Sequence, residues 1–145
     1  MTAAARLADS TPLSLWARVG LAGEVVSSYA IARRALRRQG IRGALATLRA
    51  APRTSPSANG SVDQTAAGRR LGRVATRTLT ALPADSRCLM SSLVLTRLLA
   101  RRGIDSELVI AVEPGEQFGA HAWVEHDGSP LLSPGVGAFE ELVTL

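Results

Sequence analysis

The chain has 145 residues, 46% of them apolar and only 3% aromatic, with a formal net charge of +5. That balance excludes a disordered chain and fits a single domain with a core made mainly of Leu, Val, Ile and Ala. One cysteine and two histidines exclude an intramolecular disulfide and a closed cysteine-rich zinc cluster, and no uncharged apolar run is long enough to span a bilayer.

Residues Met1 to Ser10 lack the long apolar run of a secretory signal, and a lone thiol suits a reducing compartment, so a cytoplasmic setting is expected. The charge is uneven. Residues 1–59 carry nine arginines against Asp9 and Glu24, whereas residues 60–145 carry eight arginines against ten acids. The positive front half suits an acidic peptide, a nucleic acid or an anionic lipid surface.

Taken in chain order, residues 13–50 read as helix, with Leu15, Val19, Leu21, Val25, Val26, Tyr29, Ile31 and Ala32 at spacings near 3.6. Arg33, Arg34, Arg37 and Arg38 form a polar face, either solvated or a docking patch, and Gly40 punctuates the run before a short helix to Ala50. Residues 51–61, with two prolines and many small polar residues, read as a linker between a basic helical segment (1–50) and the core (62–145). A third helix is predicted over 62–80, broken at Leu82-Pro83. Asp85 or Ser86 is then placed to cap a helix that carries Cys88 and stops at Arg101-Arg102-Gly103. Two strands follow, 108–113 and 120–126, the second turned by Asp127-Gly128; a weak third strand lies at 130–132, and Phe139 to Leu142 read as a last helical turn.

Cys88 and His121 are the residues with chemistry to offer. A cysteine in the first turn of a helix faces backbone N–H groups that have no helical partner and carry partial positive charge, which favours the thiolate nucleophile. Arg87 adds a cation nearby, and the Cys88 N–H is a ready oxyanion donor. His121, on the second strand, is suited to take the thiol proton and return it to a leaving amine. Each has an ordinary reading too: a small buried hydrophobe for Cys88, a structural histidine for His121. Alternation puts His121, Trp123 and Glu125 on one sheet face and Ala122, Val124 and His126 on the other. His126, an alternative base, abuts the turn and reads as exposed. Trp123 is expected to pack beside His121, and Phe118 either covers the site or anchors its loop.

From Cys88 to about Leu132 the pattern resembles the transglutaminase-like cysteine proteases, and more narrowly the lasso-peptide leader peptidases. The residues that carry it are Cys88, Ser92-Leu93, Leu98 to Ile104, the strand Leu108 to Val112, and Ala120 to Glu125 with its Asp-Gly turn. The resemblance implies an α+β, papain-like fold with the Cys helix on a short antiparallel sheet. It implies removal of a leader from a ribosomally made precursor, with Cys88 as nucleophile and His121 as base, without metal or cofactor. The implied partners are the lasso precursor peptide, a small leader-recognition protein and an asparagine-synthetase-like cyclase; no nucleic acid is expected among them. The superfamily places an acid on the strand after the histidine. Here that stretch is Leu131-Leu132-Ser133-Pro134, so Ser133 stands where the acid is expected and the third member is open. The competing readings are a scaffold of the same fold that has lost catalysis, and an acyltransferase or deamidase using the same thiolate.

Overall fold

The segment from Cys88 to Ala100 is apolar on nearly every side, and a helix of that kind is stable only when surrounded. The computed structural model, which describes residues 14–54, 61–82, 88–114, 119–134 and 140–145, puts it at the centre. We call it α3 (Cys88–Ala100), preceded by α1 (Leu15–Arg49) and α2 (Ser61–Ala81). Four strands follow or close the chain: β1 (Glu107–Glu113), β2 (Gly119–His126), β3 (Ser129–Pro130) and β4 (Glu140–Thr144). They form one antiparallel sheet in the order β3-β2-β1-β4. The fold is α+β, as the sequence predicts.

α3 packs against α1, α2 and the sheet strands β2 and β1. One apolar core joins Val25, Ala32, Leu45 and Leu48 of α1, Leu71, Ala75 and Leu79 of α2, the length of α3, and Leu108, Ala122 and Val124 of the sheet. A smaller cluster on the other sheet face holds Val109, Ala111 and Trp123, with Leu132 against it.

Local signals set the element ends. Ser14 caps α1, its Oγ accepting from the Ala17 N–H at 3.2 Å. Gly40, expected to punctuate that helix, has φ 67° and ψ −174°, a backbone state confined in practice to glycine, and bends α1 there. α3 stops as predicted: Gly103 (φ 69°) donates to the Ala100 carbonyl at 3.1 Å and Ile104 to that of Leu99 at 3.0 Å, the paired bonds of a Schellman stop, with Ile104 buried in the core. Asp127 (φ 48°) and Gly128 (φ 73°) make the tight turn between β2 and β3.

The last element differs from expectation. Glu140–Thr144 is a strand, not a helical turn, and it pairs with β1 through Val109↔Thr144, Ile110↔Val143, Ala111↔Glu141 and Val112↔Glu140. The reason is tertiary: without β4, β1 would present a row of unpaired N–H and C=O groups along that edge, and strand pairing outweighs the weak helical preference of a short Glu-rich segment. The caps expected from Asp85 and Ser86, and the residues Phe118 and Phe139, lie outside the described residues.

Candidate active site

Cys88 is the first residue of α3 and is half-buried, packed against the main core. It stands in the turn whose backbone N–H groups have no partner within the helix. One turn further on is Ser92, completely buried, whose hydroxyl donates to the Ala122 carbonyl at 3.2 Å. Ala122 is the neighbour of His121. The first two turns of α3 are thereby tied to the opening of β2, the stretch that carries the imidazole. Ser92 had no distinguishing mark in the sequence, since a serine inside a helix ordinarily bonds its own backbone; its position four residues after Cys88 was the signal that could have found it.

His121 lies opposite Ala111 across the β1–β2 ladder, and its Nε2 is 3.3 Å from the Ser133 carbonyl oxygen. A carbonyl only accepts, so in this contact Nε2 carries the hydrogen. In the neutral ring Nδ1 is then the lone-pair nitrogen, the one able to receive a proton. Residue 133, where the sequence leaves the third member open, meets the imidazole through its backbone carbonyl. Side-chain type cannot reveal such a contact.

Two elements fix the segment 130–131 that leads to this carbonyl. The Leu131 N–H donates to Val124 O at 2.8 Å, continuing the pairing alongside β2. On the other side α2 approaches closely: a Cβ at Gly72 would stand 2.8 Å from the Leu131 carbonyl oxygen, and Arg69 Nε donates to the Pro130 carbonyl at 3.2 Å.

Trp123 packs as expected, with its ring centroid 6.2 Å from that of His121 at a tilt of 35°. Its indole N–H donates to Glu125 Oε1 at 2.8 Å, so this carboxylate on the histidine's face is engaged by the indole. His126 is a correction. It is only 4% exposed, with Nδ1 2.6 Å from the Asp105 carbonyl, to which it donates. The connection after α3 folds back over the hairpin tip and encloses the ring. At five residues beyond His121 it lies about 17 Å along the strand, so it is no substitute for His121 at the site.

The family model described as the transglutaminase-like superfamily matches residues 25–144. The chain belongs to this superfamily. No curated protein and no solved structure matches it. Membership in the superfamily takes in most of α1, all of α2 and α3 and the whole sheet, so the match covers the full helix–sheet framework and not the Cys88 and His121 segments alone. Superfamily membership gives the coarse activity class, cysteine protease or transglutaminase type chemistry. Among the described residues no group of His, Cys, Asp and Glu side chains is arranged to hold a metal ion, and no helix is long and apolar enough to cross a membrane.

Proposed function

We propose that this chain is a cysteine peptidase that removes the leader from a ribosomally made lasso-peptide precursor. Cys88 is the nucleophile and His121 the general base. The observation that carries the reading is the contact at His121: its Nε2 lies 3.3 Å from the Ser133 carbonyl, which only accepts, so the proton-accepting role falls to Nδ1. It is supported by Cys88 heading a helix whose next turn is fastened to the strand of His121 through Ser92.

The steps follow from general thiol chemistry. The Cys88 proton passes to His121 Nδ1, and Sγ attacks the scissile carbonyl. The oxyanion that forms is met by the backbone N–H of Cys88. His121 gives its proton to the leaving amine, which becomes the N-terminus of the core peptide, and the leader remains as a thioester on Cys88. His121 then takes a proton from water, the hydroxide displaces the Cys88 thiolate, the leader leaves as a carboxylic acid, and the proton on His121 returns to the sulfur. The new amine is the group that an asparagine-synthetase-like cyclase would join to an acidic side chain, and a small leader-recognition protein would present the precursor.

Purified chain, recognition protein and precursor form the test, with products weighed by mass spectrometry. Cys88→Ala abolishes leader release while leaving the thermal unfolding midpoint near that of the parent. Release retained by that variant rejects the proposal. Absence of release by the parent chain, with precursor still bound, favours the scaffold reading, which the neutral carbonyl in place of a carboxylate motivates. A leader joined to an amine instead of freed as an acid favours acyl transfer.

A further inference from the structure

α1 buries one side and leaves the other bare. At 100° per residue, Val25, Ser28, Ala32 and Ala35 share the buried side, while Leu15, Val19, Val26, Arg33 and Arg37 line up within about 40° on the opposite one. Trp16 and Arg34 run beside that row. The outer face changes character along its length. Its first half is apolar: Leu15 is 73%, Trp16 82%, Val19 57% and Val26 46% exposed. Its second half is cationic, with Arg33, Arg34, Arg37 and Arg38 spread around an open depression of about 480 Å³. Among the described residues no acid lies on this face. The helix's single acid, Glu24, points the other way and is bonded to Arg102 and paired with Arg101. Arg34, Arg37 and Arg38 have no ion pair among the described residues.

We propose that the outer face of α1 docks on an anionic lipid surface. The face is exposed at Leu15, Trp16, Val19, Val26, Arg33, Arg34 and Arg37, and an open depression lies between the arginines. Charge of one sign beside exposed apolar side chains suits a plane of phosphates over an acyl layer. A protein partner would need a groove with an apolar floor at one end and acids at the other, roughly 35 Å apart end to end. A bilayer interface offers phosphates and apolar depth at every point, so the axial segregation is met by a small tilt. The Trp16 end sinks to the acyl boundary, where an indole is favoured, and the arginines lie among the headgroups. Such docking would hold the chain at a membrane surface.

The test needs no catalysis and uses the whole chain. Trp16 is exposed and Trp123 is buried, so a Trp123→Phe variant reports on Trp16 alone. Its emission should move to shorter wavelength on adding phosphatidylcholine vesicles that contain phosphatidylglycerol, and stay unchanged with phosphatidylcholine alone. Co-sedimentation should follow the same order and weaken with salt. The double change Arg33→Gln, Arg37→Gln, both exposed and hence harmless to folding, should lower partitioning by roughly thirtyfold. Equal binding to neutral and anionic vesicles, no binding to either, or unchanged binding by the double variant would overturn the proposal. So would saturable binding to soluble poly-glutamate with none to vesicles, which would assign the face to an acidic protein partner.

Discussion

Position 133 shows how far a single residue can be read from its letter. A serine stands where the resemblance leads one to expect an acid, and its contact with His121 Nε2 is made by the main chain at 3.3 Å. The hydroxyl is therefore dispensable to that contact. Ser133→Ala should keep leader release within about a factor of two of the parent rate, since the carbonyl remains; a loss of a hundredfold or more would mean that the side chain, not the backbone, orients the ring. The placement of Cys88 on a helix and of His121 on a strand was legible because the patterns around them are local. The carbonyl at 133 was not legible, because every residue has one. His126 was misread for a related reason: its place beside a turn suggested solvent, but a partner distant in sequence, the Asp105 carbonyl, encloses it.

Among the elements, α2 does the least obvious work. It carries no candidate catalytic residue, yet its glycine face lets residues 130–132 lie close, and that segment leads directly to the Ser133 carbonyl. Gly72→Ala tests this. Alanine favours the helix by about 1 kcal/mol, and overpacking costs about 1–3 kcal/mol, so net stability should fall by about 0–2 kcal/mol. The new Cβ meets main chain, not a flexible side-chain end, so the segment must shift. Leader release should fall by about tenfold or more through displacement of the carbonyl from His121, measured beside an unfolding curve. An unchanged rate would show that α2 does not position the site. The helices, the α3 stop and the β2–β3 turn could be predicted because their signals are local. The β4 strand could not, because what decides it is the unpaired edge of β1 nearly thirty positions earlier in the chain.

At the scale of the molecule, the charge asymmetry seen in the sequence becomes a division of labour. Four of the front-half arginines, Arg33, Arg34, Arg37 and Arg38, lie on the outer side of α1, while Glu24 fastens the helix to the end of α3. Arg102 donates to both Glu24 oxygens at 3.0 Å, and Arg101 Nε lies 3.0 Å from Oε1 without the alignment of a hydrogen bond, an ion pair only. Arg97 is close enough to feel this group: burial first, then the charge of Arg101, hold its guanidinium below the usual range, and Glu24 opposes them. Glu24→Ala would leave these cations half-buried with no counter-charge. It should lower stability by about 1.5–3 kcal/mol in urea unfolding, and by less in high salt relative to the parent; a change within error would show that apolar packing alone seats α1.

The whole account depends on a proton shared between Cys88 and His121. Because Cys88 is the chain's only thiol, its rate of alkylation by iodoacetamide reports on that proton directly. At neutral pH the parent should react about tenfold or more faster than a His121→Ala variant of equal stability. Equal rates in the two proteins would mean that the imidazole does not act on the sulfur, and the catalytic reading would fail.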